Sequence, residues 1–286
     1  MPLQISAHFH EPTYTVAYLV WDDATKHAAV IDPVLDFEAR SGRTGTQSIN
    51  ALLAEARGRG LKIYWSLETH AHADHLSAAP VVCKATGARS VIGADITQVQ
   101  AVFKPIFEAS DLTPDGSAFD QLVREGDRLP LGDLSIEVMA TPGHTPACVS
   151  YRIGDAVFVG DTMFMPDYGT ARCDFPGGDA AMLYRSIRKL LSLPPQTRLF
   201  LCHDYKAPGR EAYVWETTVA EQKASNVHVH DGISEAAFVA MRQARDQTLD
   251  MPALILPSVQ VNIRAGHFPP ASADGTVFLK LPVDKL

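Results

Sequence analysis

The sequence predicts an α/β protein whose strands and helices alternate along most of the chain. Short runs of β-branched and apolar residues recur from Tyr14 to Cys202, and segments with apolar residues at helical spacing lie between several of them. Strand after strand also ends in a turn that holds a histidine or an aspartate. In sheets covered by helices, sites collect at the carboxyl ends of strands, because loops converge there without disturbing the core.

Taken in order, Tyr14–Trp21 and His27–Asp32 read as a hairpin across Asp22-Asp23-Ala24-Thr25. Ser48–Arg59 places Ile49, Leu52, Leu53 and Ala56 at helical spacing and stops before Gly60, where a left-handed cap costs little. Leu61–Leu67 reads as a strand running into Glu68-Thr69-His70. A helix over His75–Thr86, a strand over Ser90–Gly93 and a helix over Ile96–Phe107 follow, then a polar loop through Gly116. Arg128–Ala140 and Val149–Gly160 have strand composition. Ala180–Leu191 is helical by Met182, Leu183, Ile187 and Leu190, and Arg198–Cys202 is a strand ending at His203. Ser234–Thr248 reads as a helix, and Pro252, Pro257, Pro269, Pro270 and Pro282 mark an end that wraps the core. No composition break or repeat precedes about residue 205. Residues 1–286 are therefore expected to form one domain, with about 206–286 as a C-terminal extension.

Composition narrows the function classes. A chain of 286 residues with 46% hydrophobic content can bury a core without staples. Its 25 Lys and Arg against 33 Asp and Glu give a net charge of −8, which argues against nucleic acid or an anionic membrane as main partner. Cys83, Cys148, Cys173 and Cys202 form no CxxC pair, so neither a disulfide framework nor a zinc knuckle is expected. Met1–Val20 lacks a basic leader and an apolar stretch, and no run approaches the ~18 apolar residues of a membrane helix. The expected location is the cytoplasm or a matrix-type compartment, and the expected assembly a homodimer or other homo-oligomer.

The chemistry concentrates in Thr69-His70-Ala71-His72-Ala73-Asp74-His75, four potential metal ligands at a strand end. Residues two apart in extended chain share a face, so His70 and His72 can converge, while Asp74 and His75 sit at the following turn. His144 in Thr141-Pro142-Gly143-His144-Thr145, Asp161 in Gly160-Asp161-Thr162 and His203 in Cys202-His203-Asp204 each follow a strand. Singly, each reads as a satisfied turn residue; with the first motif, metal binding is the better reading.

This HxHxDH…H…D…H series, over roughly residues 10 to 205, resembles the metallo-β-lactamase superfamily. The resemblance implies an αββα sandwich with a metal site at one edge of its two sheets. Within the superfamily, Gly143-His144-Thr145-Pro146-Ala147-Cys148, Gly160-Asp161-Thr162 and above all Arg172-Cys173-Asp174-Phe175 are similar to the persulfide dioxygenases related to the human ethylmalonic-encephalopathy protein. Glyoxalase II proteins usually carry a second histidine soon after GHT, where this chain has Ala147 and Cys148.

The resemblance implies one Fe(II) per chain held by His70, His144 and Asp161, with His72, Asp74, His75 and His203 as outer groups that orient ligands or handle protons and oxygen. It implies oxidation of glutathione persulfide by O2 and water to sulfite and glutathione. Arg172, Tyr205, Lys206 and Arg210 are the candidate substrate contacts, since a tripeptide thiol brings two carboxylates. The alternative is a dinuclear, glyoxalase II-like thioester hydrolase that uses all seven motif residues as ligands. A metal-dependent sensor and a nucleic-acid phosphodiesterase are disfavoured, the first by the open three-ligand set and the second by the charge.

Overall fold

The computed structural model describes residues 3–285. In the first half, β1 (Leu3–His10), β2 (Thr15–Asp22) and β3 (His27–Ile31) are antiparallel neighbours. β4 (Val34–Glu38) and β5 (Arg43–Gly45) make a side hairpin, and α1 (Gln47–Gly58) leads into β6 (Lys62–Leu67), parallel to β3. β7 (Leu76–Ser77), α2 (Ala79–Thr86), β8 (Arg89–Gly93), α3 (Ile96–Ile106) and β9 (Gln121–Val123) follow. The sheet runs β1-β2-β3-β6-β8-β9.

The second sheet starts with β10 (Arg128–Leu131), β11 (Leu134–Ala140), β12 (Val149–Ile153) and β13 (Ala156–Phe158), each antiparallel to the next. After α4 (Ala180–Leu190), β14 (Arg198–Phe200) adds parallel to β13 and β15 (Glu216–Thr218) closes the edge. α5 (Val219–Ser225), α6 (Glu235–Asp246) and α7 (Ile255–Asn262) complete the chain.

Strand alternation sorts the side chains into layers. Tyr18, Val20, Ile31 and Leu67 of the first sheet meet Leu131, Val138, Tyr151 and Phe158 of the second. Leu19, Trp21 and Val30 turn outward onto Leu52, Leu53 and Val82 of α1 and α2. Val157 and Leu199 turn outward onto Leu183, Ile187 and Phe238 of α4 and α6. The order is helix, sheet, sheet, helix, the expected αββα sandwich. No described helix is long and apolar enough to cross a membrane.

Several elements differ from the sequence reading for local reasons. The expected helix from His75 starts only at Ala79, because Leu76–Ser77 pairs with β4 and Pro80 is confined to the first turn. Arg128–Ala140 and Val149–Gly160 are each two strands, split at Gly132 and Gly154, whose positive φ turns the chain back. The sheet begins at Leu3 rather than Tyr14; the alternation of Leu3, Ile5, Ala7 and Phe9 was its signal. α7 lies inside the proline-rich end, with Pro257 in its first turn, where a missing N–H costs nothing.

Candidate metal centre

β6, β11, β13 and β14 deliver their carboxyl ends to one edge of the sandwich, and the motif residues follow them. Cross-sheet bonds fix that edge: Val16 N–H donates to Cys202 O at 2.7 Å, Asp204 N–H to Tyr14 O at 3.2 Å and Val149 N–H to Thr69 O at 2.9 Å. His70, His144 and Asp161 bring their ligand atoms within 4.8 Å of one another; His72, Asp74 and His75 form a second such group. Asp161 stands between the histidines, Oδ2 at 3.9 Å from His70 Nε2 and 3.7 Å from His144 Nε2, Oδ1 at 3.3 Å from His203 Nε2. The fold thus brings all seven motif residues together.

The far nitrogen of each ring shows which way its lone pair faces. A carbonyl only accepts, so His144 Nδ1 donates to Arg172 O at 2.7 Å and His203 Nδ1 to Tyr14 O at 3.1 Å. His72 Nε2 donates to Asp32 Oδ1 at 3.0 Å. Thr69 Oγ1 gives its proton to Asp32 Oδ2 at 2.9 Å, so its 3.1 Å contact with His70 Nδ1 is donated by the ring. One carboxylate, Asp32, therefore orients both His70 and His72. His70 Nε2, His72 Nδ1, His75 Nε2, His203 Nε2 and Asp161 Oδ1 are left buried with no hydrogen-bond partner. An unpaired buried group costs about 1–3 kcal/mol. Imidazole nitrogens and a carboxylate oxygen converging in this way fit a divalent transition metal.

The electrostatics agree. Burial, with His72 and His144 beside it, pushes His70 well below its ordinary value, and burial pushes His75 down to about 4, which favours the neutral imidazole that can offer a lone pair. Burial opposes charge on His72 too, but Asp32 and Glu68 outweigh it and hold His72 well above its usual range. Both carboxylates face Nε2, Asp32 Oδ1 at 3.0 Å and Glu68 Oε2 at 3.3 Å, which keeps that nitrogen protonated and leaves Nδ1 as the unpartnered one. Against its own burial, Asp74 is held well below the carboxylate range by His203 and His75.

A cavity of about 390 Å³ opens over this edge. Ala73, Asp74, His144 and Asp161 form its side toward the histidine–aspartate cluster, aromatic rings including Tyr14, Tyr168, Tyr205 and Phe175 its walls, and Arg172, Arg245 and the buried Arg242, paired with Asp246, its cationic lining. Arg172 and Tyr205 line it. Lys206 and Arg210 do not: Lys206 Nζ sits 4.0 Å over the Tyr213 ring, and Arg210 is clamped by Asp204 and Asp167. The thiols of Cys148, Cys173 and Cys202 are buried and pushed up, Cys148 to about 12, and are inert.

Four residues escaped the sequence reading. Asp32, at the end of β3, had the same strand-then-aspartate signal as Asp161. Arg242 and Arg245, three apart on α6, share a helical face, a pattern indistinguishable from a solvated one. Asn262 of α7 donates to the carbonyls of His72 and His75, both at 2.8 Å, and accepts from Ser77 N–H at 2.9 Å, holding the ligand loop in shape.

Two facing sheets with helices outside and a histidine–aspartate cluster at the strand ends define a metal-dependent enzyme of the αββα class. The chain belongs to the metallo-beta-lactamase superfamily, whose family model matches residues 10–203. It is 52% identical to a probable metallo-hydrolase of Burkholderia pseudomallei (99% of this chain, 100% of that one) and 46% identical to Glyoxylase B2 of Dictyostelium discoideum (94% and 92%). It is 29% identical to the mitochondrial persulfide dioxygenase ETHE1 of Mus musculus (95% and 92%). The crystal structure of ETHE1 from Myxococcus xanthus superposes with a TM-score of 0.74 at 32% identity, covering 92% of this chain and 100% of that one. The chain also spans 65% of the length of the Beta-lactamase hydrolase-like protein of Agrobacterium fabrum, at 50% identity over 99% of its own residues.

Proposed function

We propose that the protein is an iron-dependent persulfide dioxygenase that oxidises glutathione persulfide with O2 and water to sulfite and glutathione. The observation that carries this reading is the Arg172–Phe175 element, by which the sequence resembles that branch. Arg172 O fixes the His144 ring, Phe175 packs edge-on against it at 5.2 Å, and Arg172, its guanidinium held by both Asp174 oxygens at 2.6 and 2.7 Å and by Asp250 O at 2.6 Å, lines the cavity. One element thus couples a ligand to a substrate-facing cation. The likeness to the Myxococcus xanthus ETHE1 structure supports the same reading.

In this reading His70, His144 and Asp161 hold one Fe(II), which supplies redox chemistry and a meeting point for persulfide and oxygen. His72, Asp74, His75 and His203 orient those ligands and handle protons. Arg172 and Arg245 receive the carboxylates of the thiol; among the described residues the Arg245 side chain makes no hydrogen bond or ion pair. Charge-assisted bonds are worth about 1.5–3 kcal/mol, so Arg245→Ala should raise KM by roughly 10- to 100-fold with kcat held. Residues 1–286 acting as one domain, in a cytoplasmic homodimer or other homo-oligomer, belong to the same proposal.

A dinuclear thioester hydrolase is the second reading, favoured by the complete second ligand group and by the identity to Glyoxylase B2. Elemental analysis of protein expressed with added iron, followed by oxygen consumption with glutathione persulfide, separates the two. About one iron per chain, with uptake that is lost on chelation and restored by Fe(II), supports the dioxygenase. Two metals, thioester hydrolysis and no oxygen uptake overturn it.

A further inference from the structure

We infer that Thr15, Thr13, His10 and Asp36 form a proton relay leading from the metal centre to a second cavity between β1 and α1. At the inner end, Thr15 Oγ1 lies 3.2 Å from Asp74 Oδ2, 3.4 Å from His75 Nδ1 and 3.5 Å from His203 Nδ1. It is 2.9 Å from Thr13 Oγ1, which is 2.8 Å from His10 Nδ1. His10 Nε2 stands 3.4 Å from Asp36 Oδ1, and Asp36 is 23% exposed. His10 and Ser48, a hydrogen-bond donor to Asp36, line the second cavity, of about 400 Å³.

The alignment is built by the backbone. Glu11–Thr13 forms a single 3-10 turn, closed by Tyr14 N–H donating to Glu11 O, and Tyr14 takes a left-handed φ of 57°. A non-glycine residue there is strained. The result is that His10, Thr13 and Thr15 are hydrogen-bonded in series while Tyr14 lines the substrate cavity.

Two orders of hydrogen bonds satisfy this chain, and they differ by one transferred proton. With His10 as imidazolium, Nε2–H donates to Asp36, Nδ1–H to Thr13, Thr13 to Thr15 and Thr15 to Asp74. With His10 neutral and Nε2 protonated, Thr13 donates to Nδ1 and Thr15 to Thr13. To pass a proton outward, Thr15 takes one from the site and gives its own to Thr13. Thr13 gives its own to His10 Nδ1, and His10 releases one from Nε2 to Asp36 or water. Each hydroxyl gains one proton and loses one.

Both reactions considered for the site release protons: RSSH + O2 + H2O gives RSH, SO3²⁻ and two H⁺, and thioester hydrolysis gives a carboxylate, a thiol and H⁺. Asp74 lines the cavity that a bound substrate would fill, whereas the relay ends at the second cavity. The inference therefore rests on a proton-releasing metal site and on neither reaction in particular.

His10→Phe and Thr13→Val cut the chain at different links. In whichever turnover the protein shows, oxygen uptake or thioester hydrolysis, each should lower kcat on the order of 10²-fold, and the double variant should lose no more than one single variant. Metal content and melting temperature should hold. Imidazole should restore His10→Ala but not Thr13→Val. A kcat within twofold of wild type, losses that multiply, or metal content that falls with kcat each overturn the relay. A test without substrate follows the His10 titration by NMR in zinc-loaded protein. The charges facing His10 are Asp36 from β4 and Asp74 across the relay, with the His8–Glu55 pair on the adjoining elements. Thr15→Val should shift the titration downward, because the imidazolium loses its ordered link to Asp74, and an unchanged titration overturns the relay.

Discussion

The inter-sheet core and the ligand edge are buried to the same degree but satisfied in opposite ways. In the core, the two hydroxyls that intrude find carbonyls: Tyr18 donates to Leu201 O at 2.5 Å and Tyr151 to Glu68 O at 2.9 Å. At the edge, His70, His72, His75 and His203 are at most 1% exposed, and each keeps one ring nitrogen without a partner. The core is complete on its own terms, whereas the edge is organised around an atom the chain does not supply. Stability and function are thereby separated within one sandwich, and substitutions should separate them too.

The largest effect is expected at the edge. His144→Ala or Asp161→Ala should abolish metal retention and turnover, while Asp74→Ala keeps about one metal per chain, as an outer group would. Elemental analysis checks this, and equal loss in all three variants would point to a dinuclear centre. In the core, Leu131→Ala should cost about 2–5 kcal/mol in denaturant unfolding, because a fully buried side chain leaves a cavity. Its metal content and turnover per folded molecule should be unchanged; a loss of metal would mean that the two regions are not separable.

Asp32→Asn tests the support behind the edge. Asp32 accepts from Thr69 N–H at 2.7 Å, Thr69 Oγ1 and His72 Nε2, so the amide should weaken metal affinity roughly 10- to 100-fold in competition with a chelator, with a smaller change in melting temperature. The smallest effect lies behind the cavity wall, where His228 backs Thr170. His228 Nδ1 accepts from Thr170 N–H at 3.0 Å, and burial, with Arg242 and Arg245 nearby, pushes His228 down to about 4. As pH falls from about 6.5, the unfolded chain takes up this proton before the folded one, so stability is lost down to about pH 4. His228→Gln should flatten that part of the pH–stability curve, and an unaltered acid limb would show that His228 is protonated without resistance.

The legible part of the site was its histidine–aspartate cluster. His70, His72, Asp74, His75, His144, Asp161 and His203 all follow strand ends in sequence, and the fold gathers them at one edge. Substrate contacts were less legible. Lys206 and Arg210 are neighbours of His203 in sequence, but acidic and aromatic partners turn them away, whereas Arg245 reaches the cavity from a helix with no motif around it.

The sequence by itself determined the layers and the residues that gather at the edge, because strand alternation, helical spacing and turn chemistry act over a few residues and leave a periodic trace. Only the tertiary structure decided which nitrogen of each ring is left unpartnered at the edge, because that choice belongs to partners far along the chain. Asp32 sits 40 residues from His72, Asn262 sits 190 residues from it, and the carbonyl that fixes His144 sits 28 residues beyond that ring. A hydrogen bond across such separations depends on how the two sheets and α7 pack, and packing leaves no local pattern in the chain.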